Sequence, residues 1–158
     1  MKHLVAICLV FVSGALTGFA YSQESNLVDL KQYRWQNRLL LIFAPSEDYP
    51  AYRFLADELR RQQDGVHDRD VLVFALMEKG QSRLGDAGLD KAAGELLRKR
   101  FSVKQGAFTV VLIGKDGSEK LRREERATLG EIFGLIDTMP CAGGKCGERP
   151  SGKPPAIH

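Results

Sequence analysis

No cysteine stands between Cys8 and Cys141, so the whole body of this chain is without a thiol. Nucleophilic or redox sulfur chemistry needs a thiolate, most often at a helix N-terminus where the dipole and free N–H groups depress its pKa. That chemistry is excluded everywhere except at the two ends. Histidine is equally sparse, with His3, His67 and His158 scattered along the sequence. This pattern supplies neither a general base beside a nucleophile nor a set of metal ligands. We therefore expect no metal and no cofactor. No apolar run reaches the roughly 20 residues that a membrane helix requires. Neither charge sign is in large excess, with 23 Lys and Arg against 20 Asp and Glu. That balance gives no reason to expect a nucleic-acid or membrane-surface partner.

The amino end has the pattern of an export signal. Lys2 and His3 form a short basic region, Leu4 to Leu16 an apolar core, and Gly18 to Ser22 a small-residue stretch around a cut after Ala20 or Ser22. Residues 1–22 are thus expected to be a signal peptide, leaving no integral membrane span after cleavage, and the expected location is the periplasm or outside the cell. Cys8 lies within the apolar core and would be lost with it. Residues 23–140 are expected to form one domain and residues 141–158 a Gly/Pro/Lys-rich tail bearing Cys141 and Cys146, with 147–158 disordered.

Within the domain the periodicities alternate. Asn26 to Trp35 predicts a short helix capped by Asn26, and Leu39 to Ala44 is a continuous apolar run of the kind found in strands covered on both faces. Asp48 to about Gln63 repeats Tyr52, Leu55, Ala56 and Leu59 at helical spacing, with Gly65 as its expected stop. Val71 to Met77 is a second buried strand after the charged turn His67 to Asp70, and Glu78 to Gly88 is expected to be a loop. Leu89 to Phe101 predicts a helix with Leu89, Ala92, Ala93, Leu96 and Leu97 inward and Arg98, Lys99 and Arg100 at its solvated end. Phe108 to Ile113 predicts a third strand. Gly114 to Gly117 then turns it into a short fourth strand near Glu119 to Arg122. Thr128 and Glu131 form a capping box that opens a last helix ending before Pro140.

This order implies a right-handed parallel crossover followed by an antiparallel hairpin and a closing helix. It is similar to the thioredoxin fold, an α/β three-layer sandwich with a mixed four-stranded sheet flanked by helices. Several stretches, Trp35 to Pro45, Asp68 to Asp70, Phe101 to Val103, Phe108 to Gly117 and Ile132 to Pro140, resemble the family called domain of unknown function 4174. The resemblance implies a thioredoxin-like, peroxiredoxin-related domain. Such domains occur alone in exported bacterial proteins and as modules in vertebrate extracellular proteins with sushi repeats. The family supplies no catalytic residue to carry over. Its bacterial members continue after the Met-Pro pair with a methionine- and arginine-rich end, where this chain has Cys141 to Cys146 instead.

Thioredoxin-like enzymes carry their cysteines where this chain reads Pro45-Ser46-Glu47-Asp48-Tyr49-Pro50. Ser46, Glu47 and Asp48 are the candidate ligand surface at this strand-to-helix junction. The plainer account is that Ser46 and Asp48 cap the helix that Pro50 starts. The proline that thioredoxins hold in cis before the third strand is also missing, since Gln105-Gly106-Ala107-Phe108 takes its place, and a trans link is expected there. Cys141 and Cys146 are the remaining redox-capable pair. A disulfide stapling the end of the last helix, a reversible switch, and metal binding with His158 are the readings open to them. His67, Asp68 and Asp70 are expected to be solvated loop charges. Trp35 is either an exposed anchor for a partner or, the expected reading, a buried residue closing one end of the sheet. The function these features favour is a non-enzymatic binding or accessory module whose partner is an unknown protein or small ligand. The alternative is an atypical thiol–disulfide oxidoreductase or redox switch using Cys141 and Cys146.

Overall fold

The computed structural model describes residues 29–139. The apolar run forms β1 (Arg38–Ser46), in which Leu39 to Ala44 are all buried. Burial on both faces is possible because β1 lies between two neighbours. It pairs in parallel with β2 (Val71–Lys79), Leu41 opposite Phe74, and antiparallel with β5 (Thr109–Ile113), Leu41 opposite Val111. Strand alternation then divides the run between two cores. Leu40, Ile42 and Ala44 meet Leu55, Val110, Leu112, Ile132 and Ile136 on one side, and Leu39, Leu41 and Phe43 meet Phe74, Leu97, Val111 and Ile113 on the other. Each such side chain contributes about 1.5–3 kcal/mol on burial, so this one segment anchors both layers.

The helices cover the two faces unequally. α1 (Pro50–Arg61), α2 (Gln63–Asp68) and α4 (Leu129–Thr138) supply Leu55, Val66 and Ile132 to the first core. α3 (Lys91–Arg100) and the 3-10 turn Leu30–Tyr33 supply Leu97 and Leu30 to the second. No described helix is long and apolar enough to cross a membrane. Half of the capping box forms as expected, Thr128 Oγ1 accepting the Glu131 N–H at 3.2 Å, while the Glu131 carboxylate turns instead to Arg123.

The sheet has six strands rather than the four expected, in the order β4 (Ala87–Leu89), β3 (Ser82–Leu84), β2, β1, β5, β6 (Glu119–Arg123). The stretch read as a loop contains a hairpin of β3 (Ser82–Leu84) and β4 (Ala87–Leu89), turned at Gly85 with φ +56°. Strands of three residues carry too little alternation to be seen as a period. Side-chain bonds reinforce their pairing: buried Ser82 accepts the Met77 N–H at 3.0 Å, and the Gln81 amide donates to the carbonyls of Ser82 and Leu89. β6 (Glu119–Arg123) forms the opposite edge.

Other boundaries differ for local reasons. Gly65 does not stop α1; the helix breaks at Gln62, and Gly65 lies inside α2, where a Cβ would stand 2.8 Å from the Phe133 ring. The residue is small to admit that ring. The leading helix is a single 3-10 turn capped by Asp29, which accepts the Lys31 N–H at 3.0 Å, and Asn26 lies outside the described residues. Trp35, expected to be buried, is 62% exposed, and Leu96 and Ala92 also face outward because α3 turns Ala93, Gly94, Leu97 and Arg98 inward.

Candidate functional site

Pro45 and Ser46 end β1 at the carboxyl end of the parallel pair, where open α/β sheets characteristically bind ligands. Ser46 is still in the strand, opposite Lys79 of β2, so its hydroxyl lies too early to cap α1. The cap position falls on Tyr49, which makes no side-chain cap bond, and Pro50 occupies the first turn. Ser46 and Asp48 are therefore not the caps that the sequence suggested. The Ser46 carbonyl instead accepts the Tyr49 N–H at 3.2 Å and closes the turn. Glu47 is ion-paired with Arg83 of β3 at 3.3 Å, both side chains about half exposed. Asp48 is exposed, with no ion-pair or side-chain hydrogen-bond partner among the described residues.

Aromatic groups gather at the mouth of α1. The Tyr49 ring stacks on Phe108, just before β5, with centroids 5.7 Å apart and planes 18° from parallel. Beside it, Tyr49, Pro50, Ala51, Phe54 and Arg126 line a shallow pocket of about 590 Å³. The Arg126 guanidinium lies 3.5 Å above the Phe54 ring. The pocket is thus mostly apolar, with one cation held at its rim.

Behind the junction lies a buried ion pair that the sequence did not signal. Arg98, expected at a solvated helix end, is buried at 8% exposure because α3 packs under the carboxyl ends of β1 and β2. Its guanidinium donates to the carbonyls of Ala44, Leu76 and Lys104, each at 3.3 Å, and pairs with Glu78 at 3.0 Å. Burial lowers its pKa, and the Glu78 charge opposes that shift. Glu78 also accepts the Gly106 N–H at 2.7 Å, which ties down the loop where thioredoxins place their proline. No cis peptide bond occurs among the described residues, as expected at Ala107-Phe108.

His67 is at the far end of α2, and no group of three or more His, Cys, Asp or Glu among the described residues is placed to hold a metal ion. Burial, with Glu47 nearby, raises the pKa of Tyr52, so its phenol stays protonated at neutral pH. Cys141 and Cys146 lie outside the described residues. Sequence reasoning missed Tyr49, Phe54, Phe108, Arg98 and Arg126 as site residues. Tyr49 beside Pro50 and the position of Phe54 off the apolar stripe of α1 were the available signals; Arg126, in the charged run Glu124-Glu125-Arg126, gave none.

Residues 29–142 match the family model described as "Domain of unknown function (DUF4174)". The chain belongs to this family. Relatives of the DUF4174 domain include the sushi repeat-containing protein SRPX2 of Xenopus laevis, 30% identical over 112 residues, a match covering 69% of this chain and 24% of that protein. The human sushi repeat-containing protein SRPX is 28% identical over 114 residues, covering 70% and 25%. The chain therefore spans about a quarter of the length of these curated relatives. Among solved structures, the reduced 2-Cys peroxiredoxin of Plasmodium vivax superposes with a TM-score of 0.50 at 20% identity, covering 68% of this chain and 80% of that one. At that identity the likeness shows the fold alone, a mixed-sheet, thioredoxin-like architecture related to that of peroxiredoxins.

Proposed function

We propose that this DUF4174 domain is an exported, non-enzymatic binding or accessory module whose ligand surface is the β1–α1 junction. The observation carrying this reading is the content of the junction: Ser46 held in the strand, Glu47 committed to Arg83, and the mouth of α1 lined by Tyr49, Phe54 and Arg126. An apolar pocket with one fixed cation suits a small anion-bearing ligand or a protein side chain. Within this surface Asp48, Tyr49, Phe54 and Arg126 make contact, while Ser46 and Glu47 shape the turn. The signal-like residues 1–22 and the relatedness to sushi-repeat proteins support export, to the periplasm or beyond.

A thermal-shift screen tests the binding reading. A ligand at a hundredfold its Kd stabilises the fold by about 2.7 kcal/mol, and the shift is expected to vanish in Phe54→Ala and Arg126→Gln. Stabilisation untouched by both variants would move the site elsewhere. The rival thiol chemistry is tested by insulin reduction and peroxide clearance. No activity is expected that depends on the tail; turnover abolished by Cys141→Ser with Cys146→Ser would overturn the module reading and install the oxidoreductase.

A further inference from the structure

At the opposite end of β1 the chain holds its only tryptophan in a conformation that a bulky residue avoids. Trp35 has φ +65°, fixed by its N–H donating to the Lys115 carbonyl at 2.7 Å, and its side chain is 62% exposed. Left-handed backbone costs an ordinary residue about 1–2 kcal/mol, and this one recovers little of it by burial. Such strain is kept where the surrounding structure imposes it, and it clusters at functional surfaces.

Arg34, the preceding residue, forms one wall of a cleft of about 690 Å³. Its guanidinium is locked by two bonds to the Asp116 carbonyl, at 3.1 and 2.9 Å. Lys31, Arg100 and Arg122 bring the other cations, Glu119 and Glu124 the only carboxylates, so the lining carries two more positive charges than negative. Half-buried Phe101, with only the edges of the core residues Leu30 and Ile113, supplies its apolar floor. The charges are unequally committed. Arg122 holds Glu119 through two bonds of 2.9 Å and donates to the Phe101 carbonyl. The Lys31 ammonium has no hydrogen bond or closer ion pair among the described residues, and Arg100 only overlies the Phe101 ring at 5.9 Å.

We infer that this cleft, with Trp35 beside it, binds an acidic polypeptide segment that also carries apolar side chains. Lys31 and Arg100 are the cations left to meet its carboxylates, the Arg100 fork suiting them in bidentate geometry. Its apolar side chain lies against Leu30, Phe101 and Ile113, and Trp35 is the exposed anchor, a residue type enriched among interface hot spots. Glu119 is itself neutralised by Arg122, so the peptide's carboxylates face Lys31 and Arg100. A sulfated glycan could meet the same cations but has no apolar side chain to place. This surface is independent of the α1 pocket, and either can fail alone.

Trp35 is the sole tryptophan and adjoins Arg34 of the cleft wall, so its fluorescence is the first readout. The probe is a tryptophan-free peptide of repeated Glu-Glu-Leu triplets, titrated into the purified protein, with calorimetry as the second measurement. Expected is a saturable blue shift, weakened by salt, with affinity lowered about tenfold or more in Lys31→Glu with Arg100→Glu, a loss of at least 1.4 kcal/mol. Polyglutamate without leucine, and heparin, are expected to bind more weakly than the triplet peptide. Absence of binding by both methods overturns the inference, as do equal binding by the charge-reversed variant, by polyglutamate or by heparin. Both substituted residues are exposed, so the variant is expected to keep its fold, which its urea midpoint checks.

Discussion

The two ends of β1 spend their polar groups differently. At the carboxyl end most charges are bonded within the protein, Arg98 to three carbonyls and Glu78, Glu78 to Gly106, Glu47 to Arg83, and Asp48 is left to solvent. At the amino end Asp70 and Lys115 pair at 2.6 Å and Arg34 grips a turn, but Trp35 stands in solvent with Lys31 and Arg100 uncommitted nearby. The first end is the one at which α/β sheets usually place their chemistry. Here internal bonds hold its frame and leave a small apolar pocket open at the mouth of α1, while the end that is usually scaffold carries strain and cations unpaired among the described residues. Position in a fold therefore says where a site can be built, and the bonding ledger of each side chain says whether it was.

Breaking the consolidated end is expected to have the largest effect. Arg98→Ala takes the guanidinium from three carbonyls and leaves Glu78 only the Gly106 N–H, and loss of one partner of a buried pair costs about 3–5 kcal/mol, read as a lowered urea midpoint. A change below about 1 kcal/mol would mean that water replaces the guanidinium and that this end is not sealed. The opposite sign is expected at Trp35. Trp35→Gly relieves about 1–2 kcal/mol of left-handed strain against about 0.5–1 kcal/mol of added chain entropy, so stability rises by roughly 0.5 kcal/mol while acidic-peptide binding is lost. A stability loss would show that packing holds the ring.

The smallest effect concerns the turn onto which Arg34 docks. Bonds from Lys120 and from the Ser118 N–H hold the Asp116 carboxyl at about 2. A depressed folded-state pKa stabilises above the unfolded value of about 3.9, and that contribution is lost as pH falls through the folded value. Asp116→Asn is therefore expected to lower the urea midpoint slightly at pH 7, and the difference from the parent chain to shrink to nothing below about pH 2. A difference independent of pH would place the effect in packing of the turn.

What was legible in the sequence was whatever a single segment decides for itself. Leu39 to Ala44 announced a strand buried on both faces, and Thr128 with Glu131 announced a helix start. The location of the junction was legible too. Its content was not, because Glu47 is answered by Arg83, Tyr49 by Phe108 and Phe54 by Arg126, partners that only the folded chain brings together. Arg98 misled for a related reason: cations closing a helix look alike until the packing decides which one faces in. The hairpin of β3 and β4 was hidden by its shortness, and Trp35 by the fact that hydrophobicity alone does not tell a core residue from an anchor.

The central place of β1 also constrains how the molecule is made. Leu41 must wait for Val111, on the far side of the crossover, before its outer flank is paired. A chain growing from its amino end thus carries an open, wholly apolar strand until β5 has been synthesised, the kind of edge to which other chains adhere. Folding is obliged to be late and nearly simultaneous. Any truncation before Thr109 would convert the anchor of both cores into a nucleus for aggregation.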